Sequence, residues 1–144
     1  MQTFWGIAIA AIALLCWGGQ TIAWVAPRRG VRWHLIESPD DVEPMYWADI
    51  RGEGLWDACT LWTMVAAGML LTVDNPAWPY FGLVGGGMYV YFAGRGIATR
   101  RYMVRGGFRV GLPADLKVAM TALAMWGVMG LAVIVAAANT LAGS

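Results

Sequence analysis

The chain has 144 residues, 59% of them hydrophobic and only 13% charged, with a net charge of +1. A soluble domain of this size carries about 25% charged residues, so the deficit excludes an ordinary water-soluble globule. A net charge this small offers no electrostatic basis for nucleic-acid binding. The charges are also segregated: all ten basic residues fall within 28–51 and 95–117.

Residues 1–27, 58–73, 75–94 and 118–144 contain no Asp, Glu, Lys or Arg. About 20 helical residues cross a hydrocarbon core of ~30 Å. The expected fold is therefore all-α: one polytopic membrane domain over 1–144, a bundle of four transmembrane helices at about 4–26, 55–73, 77–99 and 114–140. Loops 27–54 and 100–113 hold eight of the ten basic residues, Arg95 and Lys117 flank the second, and basic loops stay in the cytoplasm. That predicts both termini outside, in a bacterial cytoplasmic membrane; the excess of Arg over Lys with abundant Ala and Gly suggests a GC-rich bacterial genome.

Helix 1 has no basic residue before it and is followed by Pro27-Arg28-Arg29, where a cleaved leader would have small residues, so it reads as an anchor. The first loop, 27–54, sets four arginines against six carboxylates. Within it Ser38-Pro39-Asp40-Asp41 has the pattern of a helix start. A second short helix is expected at about 44–50, with Met45, Tyr46, Trp47 and Ile50 on its apolar side.

Helix 2 begins near Asp57, at the edge of the apolar window, and carries Cys59, Thr63 and Ala67 as a stripe at four-residue spacing. Asp74-Asn75-Pro76 leaves room only for a tight turn, so helices 2 and 3 form an antiparallel hairpin. Helix 3 carries Gly82 and Gly86 at the same spacing. Hydrophobic driving force between helices is absent in lipid, and small residues let backbones approach closely. These stripes are assigned to helix packing. Helix 3 leads into a strongly basic stretch with Arg95, Arg100, Arg101, Arg105 and Arg109. Gly106-Gly107 should end the helix, 108–112 should return in extended form, and Pro113 should start helix 4.

Two readings compete for the basic stretch: it binds anionic lipid of the cytoplasmic leaflet or a partner, or it latches onto the acidic loop residues Asp40, Asp41 and Glu43. No catalytic, cofactor or metal site is expected. His34 is the sole histidine, and its spacing to Glu37 would suit a shared proton or metal only on a helix. Gly85-Gly86-Gly87 lies inside an apolar helix and lacks the strand and Lys-Ser/Thr of a phosphate loop. Coupled carriers place ionisable side chains inside the bundle, and the apolar windows have none.

The function expected is that of a non-catalytic integral membrane subunit or assembly partner, packing against other membrane subunits or a second copy. The alternative is a homo-oligomeric small-solute channel or carrier, with Gln20, Asp57 and Thr63 along its path. A third reading is an interfacial enzyme acting on lipid or quinone, using His34, Glu37 and the arginines.

Overall fold

A computed structural model describes residues 2–143. Among the described residues the chain forms helices and no strand: α1 (Gln2–Val25), α2 (Pro27–Arg32), α3 (Pro44–Thr60), α4 (Trp62–Thr72), α5 (Trp78–Arg105) and α6 (Pro113–Ala142). Three rods are long and apolar enough to cross a membrane: Gln2–Val25, Pro44–Thr72 and Pro113–Ala142. At 28 residues α5 is as long, but its six glycines and four arginines make it less apolar.

Two expectations need correction. The short helix at 44–50 and the helix at 55–73 are one bent rod. Pro44 starts it, preceded by an extended Glu43 (φ −66°, ψ 141°), and nothing between 50 and 55 stops it. The rod bends at Leu61, which remains helical (φ −70°, ψ −16°) and donates its N–H to Asp57 at 2.9 Å. There Met64 N–H reaches only back to Leu61 O at 3.2 Å, and the Thr63 hydroxyl donates to Thr60 O at 2.8 Å. Threonine bonding to its own preceding turn is a known source of such bends. The second correction is at Ser38, where the chain makes a turn and no helix. Asp41 N–H bonds Ser38 O at 3.0 Å, and the helix start belongs to Pro44.

Helix α5 ends where the double glycine predicts. Gly107 adopts φ 79°, Phe108 N–H bonds Met103 O and Gly107 N–H bonds Val104 O, each at 3.0 Å. These are the two reciprocal bonds of a Schellman cap, which needs a left-handed residue and so favours glycine.

The rods pack in series: α1 on α4, α4 on α5, α5 on α6, each pair antiparallel. Both termini and the 73–77 turn share one end, the terminal end; the segments 26–43 and 106–112 share the other, the loop end. Small residues set the closest approaches. A Cβ at Gly68 would lie 2.5 Å from the backbone N of Ala10 on α1, and one at Gly86 would lie 2.8 Å from Gly130 O on α6. The mid-bundle core is Ala13, Cys16, Leu61, Met64, Tyr89, Phe92, Leu123 and Val133. Tyr89 crosses it and donates its hydroxyl to Ala13 O at 3.0 Å. Helices α1 and α6 stand at the two ends of this series and share no comparable interface.

Candidate functional site

The site is the loop end and the cleft that opens from it between α1 and α6. Its construction begins where α1 stops. Pro27 starts the single turn and a half of α2, and His34 then takes a left-handed conformation (φ 54°). The reversal is closed by Leu35 N–H bonding Gly30 O at 2.9 Å. It turns the chain back under the bundle and carries Glu37 inward, where its side chain is 6% exposed. His34 itself is exposed, so the two residues are not paired as a helical spacing would have made them.

The return segment after α5 closes over Glu37. At Gly111 (φ 109°) a Cβ would lie 2.7 Å from Glu37 Cγ. Beside it Val42 and Val110 form an isolated antiparallel bridge, and Glu43 N–H donates to Arg109 O at 2.9 Å. Val42, Tyr46, Ile50 and Val110 make a small apolar core of their own. The two loops are thereby one folded cap.

Three arginines from α5 and its return bind four carboxylates of the first loop and α3. Arg95 contacts Asp49 Oδ1 and Glu53 Oε1, both at 2.5 Å. Arg100 Nη2 lies 3.2 Å from Glu37 Oε1, to which the Tyr46 hydroxyl also donates at 3.3 Å. The Arg100 guanidinium in turn lies over the Tyr46 ring, 5.7 Å from its centroid. Arg109 Nε lies 3.4 Å from Glu43 Oε1, in a largely exposed pair. Arg109 Nη1 also donates to the backbone carbonyl of Asp40 at 3.2 Å. Of the acidic residues singled out in the sequence, Glu43 takes an ion pair, whereas the Asp40 and Asp41 carboxylates take none among the described residues.

After this internal pairing, both loops present a cationic residue. Arg28, Arg29, Arg32, Arg101, Arg105 and Lys117 are exposed. Arg105 lies over the ring of its neighbour Tyr102, 5.9 Å from the centroid. Arg51 turns inward and donates to Ala23 O at the end of α1.

The cleft between α1 and α6 holds two cavities, one above the other. The first, of about 280 Å³, adjoins the cap; its wall includes Gln20, Glu37, Glu53, Arg100, Asp115 and Trp126. The second, of about 470 Å³, extends toward the terminal end between Trp5, Ile9 and Ile12 of α1 and Met129, Val133 and Ala136 of α6. Phe92 and Trp126, both in the wall of the first cavity, stand ring against ring at 6.0 Å and 53°. Two donors of residues in that wall, Arg100 Nε and Trp126 Nε1, are sealed from solvent and have no hydrogen-bond partner among the described residues. A buried unsatisfied polar group costs about 1–3 kcal/mol, so each such donor calls for an explanation.

The packing residues read from the sequence separate. Gly82 meets Val133 and Ala137 of α6, Gly86 meets Gly130, and Ala67 is buried. Thr63 adjoins Gly85, which sits in the α4–α5 seam against the Met64 backbone. Cys59 is exposed and takes no part, because α3 buries the face of Tyr46, Ile50, Gly54 and Asp57. Of Gln20, Asp57 and Thr63, only Gln20 lines either cavity. Asp57 is 3% exposed and its Oδ2 has no hydrogen-bond partner among the described residues, but it lies outside both cavity walls. Glu37, Asp49 and Glu53 as arginine partners, and Trp126 as a cavity wall, were not singled out by sequence. The three carboxylates had as their only signal the acidic excess of the first loop, and nothing in the sequence marks Trp126.

Among the described residues, no three His, Cys, Asp or Glu side chains are close enough to hold a metal ion. Compared with protein families, curated proteins and solved structures, the chain matches none.

Proposed function

We propose that the chain is a non-catalytic subunit or assembly partner of a larger complex in a bacterial cytoplasmic membrane. In this reading all four long rods cross the bilayer. Helix α5 crosses as the shielded member between α4 and α6, so Gly82, Gly85, Gly86, Tyr89 and Gly96 meet protein, while Tyr80 and Tyr91 face outward. The termini lie outside and the cap lies in the cytoplasm, as the positive-inside rule asks.

The observation that carries the reading is the cap. Its carboxylates are largely consumed within it, and exposed cations remain at its edge, on α2, at the end of α5 and at the start of α6. A pre-folded platform with a cationic rim suits docking on anionic lipid and on a partner subunit, at about 1 kcal/mol per basic residue near an anionic surface. An axial channel through one copy finds no support, since Leu61, Met64 and Tyr89 fill the middle of the bundle.

Topology and partnership are tested separately. In a variant without Cys16 and Cys59, an impermeant maleimide should label a cysteine placed at Ala142 in intact spheroplasts and leave one at Gly107 unlabelled. The reverse pattern would overturn the orientation. For partnership, a photo-cross-linker at Phe108 should give one adduct of defined mass in native membranes, lost in Arg101→Glu/Arg105→Glu protein of unchanged thermal midpoint. A monodisperse monomer in mild detergent with no adduct would overturn the subunit reading.

A further inference from the structure

The apolar windows of the sequence contain no acidic or basic residue, yet the folded bundle closes over one at their edge. Asp57 is 3% exposed, and its Oδ2 is sealed from solvent with no hydrogen-bond partner among the described residues. Helix α1 lies across this part of α3. Trp17 Nε1 donates to Ala58 O at 2.8 Å, and a Cβ at Gly54 would lie 3.5 Å from Gln20 O. A buried carboxylate is far more costly than a buried neutral acid, so its charge must be matched or removed.

The cation nearest to hand is already matched. Asp49, Glu53 and Asp57 follow at four-residue spacing on α3, within reach of Arg95 on α5. Arg95 Nη2 holds Asp49 and Nη1 holds Glu53, each at 2.5 Å, which leaves neither terminal nitrogen for Asp57. The other titratable groups that act on Asp57 are Glu53 on its own helix, Cys16 on α1 and Tyr89 on α5; α4 has none. Glu53 repels a second negative charge, the Tyr89 hydroxyl is given to Ala13 O, and a thiol is a weak donor. A metal ion has no cage here, because no three His, Cys, Asp or Glu side chains among the described residues lie close enough to hold one. A proton needs no cage. Exposure also falls along the three acids, from a 35% exposed side chain at Asp49 through 12% at Glu53 to the buried Asp57. The series leads from water at the cap to the sealed carboxyl.

We infer that Asp57 is a proton-binding site, occupied in the folded bundle so that the carboxyl packed between α1 and α5 is the neutral acid. Proton binding there does not depend on the subunit role.

Infrared spectroscopy of the full chain in nanodiscs at neutral pH reads the proton directly. The carbonyl band of a protonated carboxylic acid is expected in wild type and absent from Asp57→Asn. It should weaken in Glu53→Gln, which frees one Arg95 nitrogen for Asp57. Denaturant titration gives a second reading. A proton held by the folded state and released on unfolding makes stability fall as pH rises above the ordinary aspartate range. Relative to Asp57→Asn, the wild-type unfolding constant should therefore grow by up to about tenfold per pH unit between about pH 5 and 7. An offset from the new amide is the same at each pH and leaves that slope untouched. Should Asp57→Asn fail to fold, Asp57→Ser serves in both measurements. No protonated-acid band in wild type, a band that survives in the variant, or a ratio of unfolding constants independent of pH would each overturn the proposal.

Discussion

The rods and the cap of this molecule are held by opposite means. Along the rods, backbones come together where a side chain is missing: Gly68 against Ala10, Gly85 against Met64, Gly86 against Gly130. In the cap, long side chains reach across a gap, and Arg95, Arg100 and Arg109 join segments far apart in sequence. The difference follows from the surroundings each region is built for. Without water to expel, helices gain by close packing, and a charge there would be costly. At an aqueous edge an ion pair is affordable, and its worth depends on how far it is removed from solvent. The contrast gives a ranking of perturbations.

The largest effect belongs to the rods. Gly68→Val places a branched side chain whose first carbon alone would sit 2.5 Å from a backbone atom of α1. Neither backbone has a rotamer by which to yield, so α1 must separate from α4. Overpacking in a well-filled core costs about 1–3 kcal/mol, and the backbone clash puts this variant at or above the upper end. Loss of the folded monomer in a thermal or denaturant titration in detergent is the expected result.

Next comes Arg100→Gln. The side chains of Arg100 and Glu37 are 12% and 6% exposed, and Glu37 would be left with Tyr46 alone. Removing one member of a fully buried pair costs about 3–5 kcal/mol, much of it from the stranded partner. With Arg100 reaching solvent at the cap, the cost here falls below that range and below that of Gly68→Val. The double variant Arg100→Gln/Glu37→Gln should recover a large part of that loss. Additive losses would show that the two residues act independently. Arg109→Gln is the matched control, because the Arg109 side chain is 61% exposed. Its cost should stay within about 0–1 kcal/mol and vanish at high salt. Protease sensitivity around 106–112 should rise more than global stability falls, since Arg109 also ties the return segment to Asp40.

The same contrast explains what was legible in the sequence. Rods 2–25, 78–105 and 113–142 follow from charge-free windows bounded by Pro27, Gly106-Gly107 and Pro113, all local signals. The rod 44–72 is not legible as one helix because the polar stretch through Asp49, Arg51 and Glu53 has the composition of a loop, although it continues a helix that leaves the apolar region. Cys59 shares the four-residue spacing of the packing stripe, but that spacing identifies a face without saying which way it turns. In α3 the buried face is that of Gly54 and Asp57. In the cap, opposite charge on the two loops pointed to a latch, but the partners were beyond reach. Glu37 meets Arg100 only because the chain reverses at His34 with φ 54°, a conformation that histidine does not advertise. The cleft was illegible for a different reason: it results from α1 and α6 lying at the ends of a packing series.

Glycine alone does not mark a packing site, and the smallest predicted effect separates the two kinds. Gly86 and Gly87 are adjacent in α5, yet a Cβ on Gly87 meets nothing within 4 Å, whereas one on Gly86 meets the α6 backbone. Glycine in a helix interior is disfavoured against alanine by roughly 0.5–1 kcal/mol. Gly87→Ala should therefore leave the monomer unchanged or raise its stability by up to about 1 kcal/mol, while Gly86→Ala destabilises it, both read by the same denaturant titration. Equal losses at the two positions would mean that Gly87 is packed against something outside this chain. The face it shares with Tyr91 and Gly94, exposed on the isolated protomer, would then be the first place to put a cross-linker.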